Sequence, residues 1–106
     1  MIELTKENFE DEVLKYDGIV FVDFWSPKCV PCKRLFPRVE AFADENEGRA
    51  KFCKLDTEGN KRLAISQKVL GLPAMALYKN GEKVHLFDSN SIDFDMIQAK
   101  LDELQQ

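Results

Sequence analysis

Apolar and polar residues follow several different rhythms along this chain, and each change of rhythm marks an element. "IEL" (2–4) is a short strand. Thr5 can cap a helix whose apolar positions Phe9, Val13 and Tyr16 share one face, with Gly18 as the stop after "YD". "IVFVDFW" (19–25) is β-branched and aromatic with almost no polar alternation, the pattern of a central strand buried on both faces. Residues 26–29 form a loop. Leu35, Phe36, Val39, Phe42 and Ala43 then recur at helical spacing through about Glu47, with Pro37 inside the run as an expected kink.

"AKFCKLD" (50–56) is the next strand, "TEGN" (57–60) a turn, and "KRLAISQKVL" (61–70) a helix ending at Gly71. "AMALYK" (74–79) and "EKVHLF" (82–87) flank Asn80-Gly81, a dipeptide that supplies the positive φ of a tight hairpin turn. A last helix starting near Ser91 places Phe94, Ile97, Leu101 and Leu104 on one side. The order β-α-β-α-β-α-β-β-α requires an α/β fold. Its mixed sheet is parallel in its first part, ends in a hairpin, and carries helices on both faces.

Length and charge narrow the function classes. The 106 residues fit a single domain, 1–106, and eight Phe point to a well-filled core. A net charge of −4 argues against a nucleic-acid surface, which needs a basic face. No stretch approaches a membrane span, and the charged beginning "MIELTKENFEDEV" lacks an apolar export region, so a cytoplasmic protein is expected. Three cysteines are too few for a disulfide scaffold, and in a reducing compartment a close pair is catalytic or metal-binding more often than structural.

That pair lies in "SPKCVPCKR" (26–34), where an open α/β sheet usually places its site, after the central strand. Cys29 should stand at the entry of the helix and Cys32 in its first turn. Unpaired N–H groups and the positive end of the helix dipole favour a thiolate there, and Lys28 and Lys33 add positive charge. Pro31 suits the first turn, where its missing N–H costs nothing. Two thiols at this spacing on a βαβ unit read as a redox pair, the first exposed to attack and the second held back to resolve the adduct. A metal site would need about four ligands, and only Cys53 and His85 remain to supply them. A simple structural disulfide is the other alternative. Cys53 reads as a small buried apolar residue and His85 as a surface residue.

Asp23 is the lone carboxylate of the central strand. Burial should disfavour its charge and raise its pKa. It is either a satisfied polar group tied to Lys54 on the next strand, or a proton carrier for the deprotonation of Cys32. In "GLPA" (71–74), sequence on its own favours a trans Leu72–Pro73 bond.

Together, "VDFWSPKCVPCK", "KLD", "GLPA" and "YKNGE", in this order and at these separations, resemble the thioredoxin family along essentially the whole chain. The resemblance implies the thioredoxin fold, a five-stranded mixed sheet flanked by four helices. It implies that Cys29 is the nucleophile, Cys32 the resolving thiol, Asp23 the buried proton acceptor with Lys54 beside it, and Pro73 a cis-proline facing the pair. Leu72 would offer backbone hydrogen bonds to an extended substrate segment, and Trp25 would lie under the active-site loop. Lys28, Val30 and Pro31 would belong to the rim that touches substrate.

The implied activity is a protein-disulfide reductase and electron carrier with no bound cofactor and no metal. A thioredoxin reductase would supply its electrons, disulfide-containing proteins would be its clients, and the chain would be a monomer. Four positions depart from the family pattern: Lys28 for Trp, Val30 for Gly, Ala74 for Thr and Ser89 for Gly. All four are expected on the partner-facing surface. They leave two further readings, a dedicated donor to one redox system and a non-catalytic docking subunit.

Overall fold

A computed structural model describes residues 1–106. Its organising element is the strand β2, Ile19–Trp25, which is buried from Ile19 through Phe24. Such a strand needs neighbours on both edges and cover on both faces. It pairs in parallel with β3, Lys51–Asp56, and antiparallel with β4, Ala74–Lys79. The strand β1, Ile2–Leu4, adds to β3 in parallel, and β5, Glu82–Phe87, adds to β4 antiparallel. The sheet order is β1-β3-β2-β4-β5. Asn80 and Gly81 both take positive φ in the hairpin turn. A side chain at position 81 would also collide with the Leu14 carbonyl, so the position needs glycine twice over.

The period-2 alternation of β2 divides the core. Val20, Val22 and Phe24 pack with Phe9, Val13, Cys53, Leu55, Ala64 and Tyr78 on one face. Ile19 and Phe21 pack on the other with Val39 and Phe42 of α1, Val30–Glu45, and with Ile97 and Leu101 of α3, Phe94–Leu104. Phe42 is ringed by Phe21, Phe52 and Phe94, at centroid distances of 5.5, 5.9 and 5.6 Å. Full burial of Phe21 and Phe42 contributes about 2–3 kcal/mol each, whereas Phe52 and Phe94 are only partly buried. By the same alternation Asp23 faces the α1 side, directly under the helix that carries the cysteines.

Three element boundaries differ from the sequence expectation, each for a local reason. Thr5 does cap its segment, its Oγ1 accepting from the N–H groups of Glu7 and Asn8. The segment then winds as a π-helical turn, Glu10–Leu14, with the Lys15 N–H reaching the Glu10 carbonyl. The Glu12 carbonyl, near the end of this turn, accepts from the Lys51 ammonium at 3.1 Å.

The helix α2 spans only Lys61–Ser66, because Lys68 adopts a left-handed φ of 67° and the Val69 N–H returns to the Ala64 carbonyl. Helix α3 starts at Phe94, capped by Asp93. Ser91 instead closes a turn on Asp88. Pro37 lies inside α1 without ending it.

Candidate active site

The end of β2 releases the chain at Trp25, and four residues later α1 begins with Cys29 as its N-cap. The cap residue is extended, at φ −85° and ψ 99°. Its carbonyl accepts the Lys33 N–H at 3.2 Å, and its Sγ accepts the Cys32 N–H at 3.2 Å. Pro31 occupies the first turn, as its fixed φ favours. Cys29 and Cys32 are joined by a disulfide, with an S–S distance of 2.08 Å and 5.3 Å between their Cα atoms. The two sulfurs differ in access: Cys29 is half-exposed, whereas Cys32 is 4% exposed. This is the asymmetry an attacking and a resolving thiol need.

Below the pair, Asp23 is 2% exposed, and burial pushes its carboxyl up to about 7. The positive charge of Lys54 works in the opposite direction and is the weaker influence. Asp23 and Lys54 are register partners across β2 and β3 but form no ion pair, so the expectation of a carboxylate simply tied to Lys54 does not hold. The Lys54 ammonium instead lies 5.1 Å from the Phe36 ring centroid and 5.9 Å from that of Trp25. Trp25, Cys32, Lys33, Phe36 and Lys54 together line a cavity of about 210 Å³. Cys32 therefore shares a small, half-open cavity with the strand partner of Asp23. The Trp25 indole N–H is buried there without a hydrogen-bond partner.

Beside the pair, Leu72–Pro73 is a cis peptide, and Pro73 is buried while Leu72 is half-buried. A groove brings Leu72 and Pro73 together with Pro31 and Arg34 of α1 and with Ser89 and Ile92. Val30 is 55% exposed on the rim. Lys28 is exposed and pairs at 3.5 Å with Glu58, a residue of the β3–α2 turn that the sequence reading did not single out. Its only signal in the sequence was a carboxylate in a turn two residues past β3, which is common and carries no address.

Of the four departures, Lys28, Val30 and Ser89 are surface residues, as expected. Ala74 is not: it is 1% exposed and packs in the core as the first residue of β4, so its small size is a packing matter. Cys53 is fully buried and its thiol is pushed up to about 12 by burial, which leaves it inert. His85 is exposed, its ring 4.2 Å from that of Phe87. No helix is long and apolar enough to cross a membrane.

Comparison with known proteins agrees with this geometry. The protein-family model described as Thioredoxin matches residues 1–103. A thioredoxin of Peptoclostridium acidaminophilum is 51% identical over 101 residues, covering 95% of this chain and 92% of that protein. A thioredoxin of Acetoanaerobium sticklandii is 50% identical over 84 residues, 79% of this chain and 80% of that one. Among solved structures, a mutant thioredoxin from Halobacterium salinarum NRC-1 superposes with a TM-score of 0.85 at 27% identity, over 99% of this chain and 90% of that chain. The chain belongs to the thioredoxin family. It is a thiol–disulfide oxidoreductase, and Cys29 and Cys32 are its redox pair.

Proposed function

We propose, with that membership as premise, that the chain works in the cytoplasm as a reductant of protein disulfides and is recharged by a thioredoxin reductase. The observation that carries this reading is the unequal pair at one helix mouth, a half-exposed Cys29 and a buried Cys32.

In the reduced protein the Cys32 N–H and the helix dipole stabilise negative charge on the Cys29 sulfur. That thiolate attacks one sulfur of a client disulfide. A mixed disulfide forms, and the client's other sulfur leaves as a thiolate that takes a proton. Cys32 then loses its proton, attacks Cys29, and expels the client as a second thiolate. The client gains two electrons and two protons, and the pair closes to its disulfide. The reductase returns two electrons through its own dithiol. The electrons are carried by sulfur, so no bound cofactor or metal takes part in these steps.

Asp23 is the group suited to take the Cys32 proton. Held at about 7, it exchanges a proton readily near neutral pH, and Lys54 keeps its charged form within reach despite burial. Trp25 forms the wall under the loop. Pro31, Leu72 and Pro73 line the groove into which a client segment fits, and Leu72 offers backbone groups for strand-like pairing. Lys28 and Val30 stand on the rim of the groove.

The test is direct. Cys29→Ser should abolish insulin reduction by dithiothreitol-charged protein, and Cys32→Ser should retain attack but accumulate a covalent mixed disulfide with the client. Wild-type reduction rates in the Cys29→Ser protein would end this reading.

A further inference from the structure

Beside the groove at Pro73 lies a second one, of about 410 Å³, on the other side of the loop. Lys28, Glu58 and Lys61 supply its charged groups, and Ile65, Leu70 and Leu72 supply its apolar wall. Leu72 lines both grooves, and the second is also lined by Ser26 and Lys28 of the loop that leads into Cys29. Lys28 joins it to the reactive sulfur, since the next residue is Cys29.

Two features of this groove suit it to receive a partner segment. Ile65 is 60% exposed and Leu70 is 87% exposed, two large apolar side chains held outward on neighbouring turns. Leu70 lies just past the left-handed turn at Lys68 that ends α2. The charge is also out of character with the chain. The molecule carries −4 overall, yet the charged groups of this groove leave one positive charge in excess.

The Lys28–Glu58 pair is the adjustable part. Its side chains are 84% and 42% exposed, and the ions are 3.5 Å apart, so water screens them strongly. A carboxylate brought by a bound segment can replace Glu58 on Lys28 with little loss. Lys61 makes no ion pair and is free to meet a second one.

We propose that this groove selects disulfide clients, favouring an extended protein segment with acidic side chains beside the attacked cysteine and an apolar side chain farther along. The acidic residues meet Lys28 and Lys61, and the apolar one is buried against Ile65 and Leu70. Glu58 acts as a gatekeeper: it occupies Lys28 when no acidic partner is present, and its own negative charge moderates the preference for acidic segments. This inference rests on the reading that the chain reduces protein disulfides.

The experiment uses three disulfide-linked peptides that differ only in the pair of residues flanking the attacked cysteine, Asp-Asp, Asn-Asn or Lys-Lys. The readout is the ratio of kcat/KM values within one protein, which cancels any general change in rate. At low salt the order should be Asp-Asp, then Asn-Asn, then Lys-Lys, with about threefold between neighbours, as expected for one exposed ion pair. The ratios should shrink towards one near 0.5 M salt, an ionic strength that shortens the screening length to about 4 Å. Lys28→Glu and Lys61→Glu should each remove or reverse the preference, and Glu58→Gln should enlarge it. Equal rates for the three peptides in the wild-type protein, or ratios that both lysine reversals leave unchanged, would overturn the inference while leaving the reductase reading intact. Failure to reduce any peptide, with insulin also untouched, would instead remove that reading and the inference with it.

Discussion

Two helices of this chain begin in the same way and are equipped for different work. Helix α1 starts at Cys29 and α3 at Asp93. Both cap residues are extended, and the carbonyl of each accepts the first hydrogen bond of the helical ladder, from the N–H of Lys33 and Ile97 respectively. Both turn a side-chain acceptor onto the first-turn N–H groups: the Cys29 sulfur to Cys32, and the Asp93 carboxylate to Asp95 and Met96. The difference lies in how the positive end of each helix is neutralised. At α3, Asp93 and Asp95 supply permanent negative charge. At α1 there is no acidic residue in the first turn, and Lys28, Lys33 and Arg34 surround it instead. The negative charge that this mouth can recruit from its own cap is the sulfur's, and only when the disulfide is open. One physical device, a helix N-terminus seeking an anion, is a fixed brace at Asp93 and a redox centre at Cys29.

The sharpest way to break the comparison is to give the first mouth the second's cap. Cys29→Asp keeps an acceptor for the Cys32 N–H and supplies permanent charge. Its stability should lie within about 1 kcal/mol of the reduced wild-type protein, measured by urea unfolding under dithiothreitol. Its insulin reduction should fall to background. Retained reduction would mean that the sulfur at this mouth is not the attacking group.

A second difference is that the first mouth stands above a buried acid. The folded value of Asp23 is raised above its unfolded value of 3.8 to about 7. The native state therefore holds a proton that the unfolded state has released. The contribution of Asp23 to stability therefore falls as pH rises from about 4 to about 7 and is flat beyond, a total loss of at most about 4 kcal/mol. Asp23→Asn removes that loss. It should stabilise the protein by about 2–4 kcal/mol at pH 8 and by less than about 1 kcal/mol at pH 4, read from urea midpoints. The same variant should resolve mixed disulfides roughly 10- to 100-fold more slowly at pH 8. Its rate should also lose the rise through about pH 7 that the wild-type carboxylate gives. Equal stabilisation at both pH values would show that Asp23 is not carrying a burial penalty for charge.

How much of this was legible in the residues follows from the range of the forces involved. The five strands and their succession along the chain could be read because β2 is apolar on both faces and Asn80-Gly81 fixes a hairpin, which are signals contained in short windows. Cys29, Cys32 and Asp23 could be read because each breaks a local pattern. The end of α2 could not, because Lys68 takes a conformation normally marked by glycine, and nothing in its identity announces that. The π-helical turn could not either, because its residues are those of an ordinary amphipathic helix and nothing in them marks the wider winding. Glu58 acquires meaning only when folding places it against Lys28, and Ala74 looked like a surface departure because sequence gives the position along β4 but not its burial. The cis form of Leu72–Pro73 came from family resemblance, whereas the residues themselves favoured trans.

The smallest effect tests whether the second mouth is only a brace. Asp93 is exposed, and its carboxylate accepts the N–H groups of Asp95 at 2.9 Å and Met96 at 3.4 Å. Behind it, Ile97 and Leu101 bury α3 against the sheet. Asp93→Ala leaves that packing in place and frees two donors to water, so it should lower stability by about 1 kcal/mol. The urea midpoint should fall without a change in slope, because the surface exposed on unfolding is the same. Asp93→Ser, which keeps an acceptor, should recover most of the loss. Insulin reduction and the peptide ratios should match those of the wild-type protein, because α3 reaches the cysteines only through the sheet and α1. A cap that cost redox activity as well as stability would mean that the two mouths are coupled, and that fixing one is part of switching the other.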